Sequence, residues 1–395
     1  MTGNITTKYI LPIMVISQFF CTSQWFAGNA VLPDIIKNFP GETNLLANLT
    51  SMVQFGFITG TLIFAFFAIS DIFSPSKVFF VCGIVAALFN LGICLPLTNV
   101  HLLLVFRFLT GFMLAGIYPV GMKIASDYFK DGLGKSLGFL VGALVLGTAF
   151  PHLLKTITGK FPWEYVIYST SALSALGAVC IMLFVPNGPF RVAGQKFDFR
   201  SCLIAFRNSG FRSAAFGYFG HMWELYTFWA FLPGMLLIYN STHPAATLNV
   251  SLFSFLVIAS GGISCIIGGL LSLKFGAKRI ATIALALSGL CCLLSPIFLF
   301  NSSVYLFLTF LFLWGLFGTA DSPLFSSLVA KHAPETIRGT SLTLVNCIGF
   351  AITIISIQAI NLLAKEINSH YLYMVLAIGP VLGLLALIRK NEIKL

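Results

Sequence analysis

The sequence predicts an all-α polytopic membrane protein with twelve transmembrane helices. Of its 395 residues, 58% are hydrophobic and only 9% are charged, and the mean hydropathy is +0.95. A soluble domain carries roughly 25% charged residues, so this composition excludes a soluble fold. A helix needs about 20 apolar residues to cross the hydrocarbon core of a bilayer, and the chain has twelve stretches of that kind.

We number these stretches span one to span twelve in chain order. The N-terminal stretch lacks the basic segment of a cleaved signal and is too long for its apolar core, so we interpret it as a retained first span. The predicted spans are 9–32, 46–69, 78–97, 102–125, 136–154, 165–185, 213–239, 248–273, 280–300, 304–330, 339–363 and 371–388.

Lysine and arginine residues predict the orientation, because cytoplasmic connections carry an excess of both. With the N-terminus in the cytoplasm, the outer connections hold only Lys37, Lys155, Lys160 and Lys365, and Arg107 lies within span four. The rest of the 23 basic residues fall on the inner side. We therefore predict cytoplasmic termini and a location in the bacterial inner (plasma) membrane. This topology accounts for the net charge of +11, so no nucleic-acid partner is needed.

The motifs of soluble enzymes and of metal sites are missing from the sequence. The nine cysteines form no C-x-x-C pair and no cluster with histidine at metal-ligand spacing. The sequence also contains neither H-E-x-x-H nor G-x-S-x-G. We predict no metal, no cofactor and no enzymatic activity.

Two segments 202 residues apart, 67–77 and 269–279, form a repeat, and each connects two predicted spans on the cytoplasmic side. Such a repeat indicates two homologous halves. We predict an N-terminal six-helix bundle at 1–185, a basic cytoplasmic linker at 186–212 and a C-terminal six-helix bundle at 213–395.

This organisation resembles the major facilitator superfamily, whose hinge has the pattern G-x-x-x-D-[RK]-x-G-x-[RK]-[RK]. The first copy retains Asp71 and Lys77 but has Phe67 and Ser74 in place of the glycines. In the second copy Leu273 replaces the acid, and the matching residues are Gly269, Lys274, Gly276, Lys278 and Arg279.

Span four is similar to the R-x-x-x-G pattern of the family through Arg107 and Gly111, and span ten repeats its glycine 204 residues later as Gly315. Span five has two of the glycines of the family's antiporter motif, but Ala143 replaces the proline. The resemblance implies two bundles that alternate between inward-open and outward-open states around a central substrate site. It also implies a gating role for the hinge residues Asp71, Lys77, Lys274, Gly276, Lys278 and Arg279.

Charged side chains within a bilayer are costly and mark transport pathways. Glu224 lies about 16 Å into span seven, near the middle of a core about 30 Å thick, and His221 precedes it by one turn. A carboxyl group and an imidazole on one helix face suit proton coupling, although a purely structural pair is the alternative. Asp321, two residues before Pro323 in span ten, is a third candidate for proton coupling, but the nearby proline favours a structural or gating role.

Arg107 and a polar stripe on span one are the main candidates for substrate binding. The stripe consists of Gln18, Thr22, Trp25 and Asn29. A guanidinium suits a carboxylate or phosphate, and Asp34 is the alternative partner of Arg107. The stripe follows helical spacing, and its alternative role is hydrogen bonding between helices. The predicted substrate-binding residues are Arg107, Gln18, Thr22, Trp25, Asn29, Gln54, Tyr118, Tyr218 and Asn346.

Taken together, these residues predict a monomeric secondary active transporter in a lipid bilayer. It would move a small polar solute, with a bias toward an anion, by alternating access and proton-coupled import. A proton-driven exporter of drugs or metabolites is the first alternative, and a membrane-embedded enzyme or receptor is the second.

Overall fold

The structure is a computed structural model that describes residues 3–96, 99–129, 133–159, 161–191, 203–244, 247–301, 303–334, 337–367 and 369–388. The side chains of 3–8 and 133–135 are outside this description. Helices make up 85% of the structure, and none of the described residues forms a β-strand.

Every predicted span has a helical counterpart. Those of the first half are Gly3–Thr22, Leu45–Phe66, Pro75–Leu91, Val100–Leu114 with Tyr118–Tyr128, Leu133–Ile157 and Glu164–Phe184. Those of the second half are Ser209–Thr242, Val250–Phe275, Ala277–Phe298, Val304–Ala320 with Ser322–His332, Arg338–Leu363, and Ile378–Ile388, which follows Ser369–Leu372 and the 3₁₀ segment Tyr373–Ala377. Short helical turns lie at Ala27–Ala30, Leu32–Ile35, Ile36–Asn38, Ile69–Ile72 and Gly92–Cys94.

Ten helices in the described part of the chain are long and apolar enough to cross a membrane. Spans one and seven are the exceptions. The helix of span one is Gly3–Thr22, of which only Tyr9–Thr22 has described side chains, and span seven is a 34-residue helix that includes His221 and Glu224. These two spans carry the polar side chains from which the sequence predicts a solute and proton pathway.

Spans one, four and ten are not continuous helices, although each was predicted as one span. Span one stops at Thr22, and a short helix resumes at Ala27. Spans four and ten restart at Tyr118 and Ser322, each with a proline in the first turn of the new helix. Proline has no N–H to continue a helix but fits its first turn, so the two breaks occupy equivalent places in the repeat.

The chain divides into two compact units, which we call unit one (Met1–Lys196 with Leu248–Gly262) and unit two (Phe197–Thr247 with Ile263–Leu395). The predicted bundle boundaries at 185 and 213 stay a prediction. Of the predicted linker, residues 192–202 lie outside the described residues.

Glycines bring helix backbones into direct contact within each unit. A Cβ added at Gly111 of span four would collide with the backbone carbonyl of Val53 in span two. In unit two, a Cβ at Gly220 of span seven would meet the backbone of Gly379 in span twelve. Small residues allow this close packing in membrane helices. The contacts hold Arg107, one turn before Gly111, and His221, the residue after Gly220, at defined positions.

Candidate functional site

Arg107 is fully buried in unit one and binds the break in span one. Its Nη2 donates to the carbonyl of Trp25 at 2.5 Å, and its Nη1 donates to the carbonyl of Gln24 at 3.2 Å. Nη1 also lies 3.5 Å from Oδ1 of Asn90. The helix of span one ends at Thr22, and the carbonyl of Gln24 also accepts from the N–H of Ala27 at 3.4 Å. The guanidinium therefore donates to two backbone carbonyls in the break that follows the helix.

Asp34, the alternative partner predicted for Arg107, is bound to other residues. Asp34 accepts from Lys155 at 2.5 Å and from Lys37 at 3.0 Å. Among the described residues, no carboxylate forms an ion pair with Arg107. Burial alone would raise the pKa of Asp34, but the hydrogen bonds and charges of the two lysines outweigh burial and hold this pKa below its usual range.

The polar stripe of span one is buried but is not one continuous helical face. Thr22 Oγ1 donates to its own helix at the carbonyl of Gln18, 2.8 Å away. Trp25 and Asn29 follow the break, and Asn29 Nδ2 donates to Oγ1 of Thr50 in span two at 2.6 Å. Both amide atoms of Gln18 are buried and have no hydrogen-bond partner in the described part of the structure. The stripe thus contains both satisfied and unsatisfied polar groups.

Two further buried amides were missed by the sequence analysis. Gln24 lies in the break, and its side-chain amide has no partner among the described residues. Asn90 in span three donates to Oγ of Ser171 at 2.9 Å and to Oγ1 of Thr170 at 3.1 Å in span six. Gln24 directly precedes Trp25 of the predicted stripe. Gln24 lies close to Arg107 because the helix of span one ends at Thr22.

Glu224 is 2% exposed in span seven of unit two. Its Oε1 accepts a hydrogen bond from Nε1 of Trp314 at 2.6 Å, and its Oε2 accepts one from Oγ of Ser288 at 2.9 Å. Trp314 lies in span ten and Ser288 in span nine. The carboxyl group therefore connects three helices of unit two through two neutral donors.

His221 pairs with Asp321 and not with Glu224. Its Nδ1 lies 2.8 Å from Oδ1 of Asp321, and both side chains are almost fully buried. Neither carboxylate oxygen of Asp321 has a hydrogen-bond partner in the described structure. Nε2 of His221 is likewise without a partner there. Asp321 occupies the break of span ten, where its carbonyl accepts from the N–H groups of Leu324 and Phe325.

The other predicted binding residues are placed as follows. Gln54 and Tyr118 are buried in unit one, where Phe57, one turn after Gln54, packs on the ring of Trp25 at a centroid distance of 4.9 Å. Tyr218 is buried in unit two with its ring 6.0 Å from that of His221, and Asn346 of span eleven is half-buried.

The two hinges differ in their ion pairs. In the first, Asp71 pairs with Lys123 of span four at 3.3 Å, and Lys123 also pairs with Asp127 at 3.0 Å. Lys77 is exposed. In the second hinge the basic side chains Lys274, Lys278 and Arg279 are exposed, and none forms an ion pair with a described residue. Gly276 has φ = 87°, a conformation that favours glycine.

Segment 185–191, at the start of the predicted linker, is bound to the first hinge and to the end of span four. Ser76 Oγ donates to the carbonyl of Val185 at 2.6 Å. Nη2 of Arg191 donates to the carbonyls of Asp71 and Phe73, each at 2.8 Å. Further bonds in the same place join Ser74 to Asn187, Tyr128 to Pro186 and Phe190 to Asp127. Residues 186–191 were predicted as part of the linker, and nothing in the sequence indicates these contacts.

A cavity of about 510 Å³ lies at the end of unit one opposite the first hinge. Its walls come from the connection after span one, the end of span three and the starts of spans four and six. The lining residues are Ile35, Asn38, Phe39, Ile93, Cys94, Leu95, Pro96, Leu103, Trp163 and Glu164.

These helices and buried charges define a polytopic carrier, and comparison with known proteins identifies its family. The family model described as the Major Facilitator Superfamily matches residues 14–211 and 214–394. The chain belongs to this superfamily. The family prediction, the twelve-helix fold and the prediction of a transporter rather than an enzyme are confirmed.

A solved structure of the same superfamily has a similar fold. The proton:xylose symporter XylE, bound to 6-bromo-6-deoxy-D-glucose, superimposes with a TM-score of 0.73 over 96% of this chain and 94% of its own. The two sequences are 13% identical, so this likeness shows the fold alone.

Curated relatives match only part of the chain. The MFS-type transporter phm3 of Pyrenochaetopsis sp is 25% identical over 150 residues, which are 37% of this chain and 30% of that protein. MFS-type transporter 1 of Pyricularia oryzae is 24% identical over 169 residues, 40% of this chain and 26% of that protein. The uncharacterized transporter BU588 of Buchnera aphidicola is 25% identical over 184 residues, 45% and 43%. The chain thus spans less than half the length of each relative, and these come from fungi and a bacterium.

Proposed function

We propose that this chain is a secondary active transporter that imports a small polar solute together with a proton by alternating access. The observation that carries the proposal is the buried pair of His221 and Asp321 in span seven and span ten, 2.8 Å apart and without other hydrogen-bond partners among the described residues. A buried pair of opposite charges costs less than a single buried carboxylate. Such a pair can therefore hold a proton that it releases when water reaches it.

Glu224 is the second candidate for proton binding and lies one helical turn from His221. It accepts hydrogen bonds from Trp314 and Ser288, which hold its carboxyl group between spans nine and ten. Glu224 and the thiol of Cys265 are both close enough to Asp321 to interact electrostatically. We assign the exchanged proton to the His221–Asp321 pair. Through its electrostatic interaction with Asp321, Glu224 would respond to the gain or loss of that proton.

The buried amides of unit one support a polar substrate. Gln18 and Gln24 present donors and acceptors without partners in the described structure, and amides of this kind suit hydroxyl-rich solutes. Arg107 is already bonded to two carbonyls, which weakens the bias toward an anion. XylE is a proton:xylose symporter, and a sugar as the cargo of that protein is in keeping with a polar solute here.

The proposed direction is import, because Ala143 replaces the proline of the antiporter motif. We place the protein in the plasma membrane with both termini in the cytoplasm, as a monomer made of bundles 1–185 and 213–395. The hinge residues Asp71, Lys77, Lys274, Gly276, Lys278 and Arg279 would gate the transition between states.

The test begins with a thermal-shift screen of sugars, polyols, amino acids and organic acids, because a ligand of the native state raises its melting temperature. A solute that binds is then offered to proteoliposomes under an imposed pH gradient. Uptake should accelerate when the side of solute addition is acidic. An uptake rate that does not change with the pH gradient would refute proton coupling. Solute transport only in the direction opposite to proton flow would favour the exporter.

Single substitutions separate the two acidic sites. Asp321→Asn and His221→Gln should abolish accumulation driven by a pH gradient and retain exchange of labelled for unlabelled solute, because exchange needs no net proton movement. Glu224→Gln should reduce accumulation without abolishing it. Glu366→Gln, at an exposed carboxylate after span eleven, is the matched control. Full accumulation by Asp321→Asn would remove the pair from the mechanism.

A further inference from the structure

We propose that the cavity of unit one, at the end opposite the first hinge, binds a small organic ammonium ion with at least one N–H and an apolar substituent. The proposed transport function assigns no role to this cavity. Its volume of about 510 Å³ falls within the range of about 300–1,000 Å³ that is usual for small-molecule pockets.

The walls of the cavity are mostly apolar and include two aromatic rings. Phe39 and Trp163 lie among the side chains of Ile35, Ile93 and Leu103. Aromatic faces attract organic cations, and indole does so best. This lining selects a ligand with an apolar part over a fully hydrated ion.

Glu164 supplies the charge that selects a cation. Glu164 lines the cavity, and its Oε2 is buried without a hydrogen-bond partner in the described structure. Glu164 is also the first residue of the helix Glu164–Phe184, a position where an acidic side chain is common. An ammonium ion bound in the cavity would neutralise this charge.

No described cation already fulfils this role. Lys37 and Lys155, which lie toward the same end of unit one, are both paired with Asp34. Glu164 forms no ion pair with any described residue. A metal ion is a poorer fit, since the described chain contains no cluster of three His, Cys, Asp or Glu side chains able to hold one. The chemistry of the cavity therefore favours a primary or secondary organic ammonium.

Two sources could supply this group: a free amine, and the headgroup of phosphatidylethanolamine, since our topology places the cavity at the outer membrane surface. Cys94 lines the cavity and is half-buried. The rate at which its thiol is modified therefore reports whether a free amine or a lipid headgroup occupies the cavity. The full chain is reconstituted in nanodiscs of phosphatidylcholine or of phosphatidylcholine with phosphatidylethanolamine. Thiol modification at Cys94 is then followed by peptide mass spectrometry.

The first measurement compares a cationic with an anionic methanethiosulfonate reagent in phosphatidylcholine. The cationic reagent should modify Cys94 about fivefold faster relative to a free thiol, the factor expected for one partly solvated neighbouring charge. Glu164→Gln should bring the ratio close to one, and Glu42→Gln, at an exposed carboxylate on the same side, should leave it unchanged. Equal rates in the unaltered protein would overturn the proposal.

The second measurement adds phenethylammonium, which should protect Cys94 in the unaltered protein and in Glu42→Gln but not in Glu164→Gln. Protection by phosphatidylethanolamine without added amine would identify the lipid as the source, and protection by the free amine alone would identify a soluble ligand. If neither protects Cys94, the site does not bind an ammonium group. Leu103→Trp, which fills the cavity without touching the acid, provides a second variant should Glu164→Gln fail to fold. It should also abolish protection. Neither measurement depends on transport, so a failure here leaves the proposed function standing.

Discussion

At the scale of single residues, buried charges are neutralised by the nearest available dipole or ion. Arg107 donates to two backbone carbonyls, Asp321 lies 2.8 Å from the imidazole of His221, and Glu224 accepts from an indole N–H and a hydroxyl. Residue type and depth in a span predicted which side chains carry charge into the bundle. They could not predict the partners, because the carbonyls that bind Arg107 lie in the break of span one, and Asp321 reaches His221 from another helix.

Asp34 offers a prediction at this scale, because it links Lys155 and Lys37 at the end of unit one. Replacing Asp34 with Asn should lower the melting temperature at neutral pH. A carboxyl group whose pKa is lower in the folded than in the unfolded state stabilises the fold above the unfolded pKa, and this stabilisation is lost as the pH falls through the folded pKa. The pKa of Asp34 is lowered in the fold, after the two lysines outweigh burial.

The measurement is the melting temperature in detergent from neutral to strongly acidic pH. The gap between the unaltered protein and Asp34→Asn should persist down to the ordinary titration range of an aspartate and close below it. Its size should correspond to about 1 kcal/mol or less, as for partly exposed ion pairs. Lys37→Met is the control with a smaller effect, since Lys37 is 74% exposed. A gap that does not change with pH would contradict the assignment.

At the scale of helices, lengths and breaks have different physical origins. Runs of apolar residues predicted every span, because the bilayer thickness sets the length of a crossing helix. The breaks in spans four and ten coincide with prolines that the sequence displays. The break in span one was not predictable in this way: it falls at 23–26, which contains neither Gly nor Pro, and two of its carbonyls accept hydrogen bonds from Arg107 of span four.

The contact between spans two and four yields a prediction at this scale. Gly111→Ala should destabilise the protein by about 1–3 kcal/mol, a typical cost of overpacking, because the added Cβ would meet the carbonyl of Val53 and not a flexible side chain. Gly138→Ala in span five is the matched control: a Cβ there meets nothing within 4 Å. Alanine is the better helix former by about 1 kcal/mol, so this variant should be neutral or more stable.

Thermal melting in detergent and the yield of monodisperse protein would measure both variants. The two substitutions add the same methyl group to a glycine of a membrane helix. Only packing therefore separates their expected effects. Equal melting temperatures would mean that the helices do not approach at Gly111 as described.

At the scale of the whole molecule, the repeat and the positive-inside charge pattern predict a topology that the helices alone do not test. A cysteine at Thr43, in the exposed connection between spans one and two, should react with a membrane-impermeant maleimide added to intact cells. A cysteine at Lys77, exposed in the first hinge, should react only after permeabilisation. The opposite pattern would invert the protein in the membrane, and labelling of both sites in intact cells would contradict the twelve-span arrangement.

Segment 185–191 has a mechanical consequence. Because Arg191 is fastened to the carbonyls of Asp71 and Phe73, tension on the chain beyond residue 191 would be transmitted to the backbone of the first hinge, beside the carboxylate that faces Lys123. A force on segment 185–191 would then displace the first hinge, so this segment would be more than a passive connection.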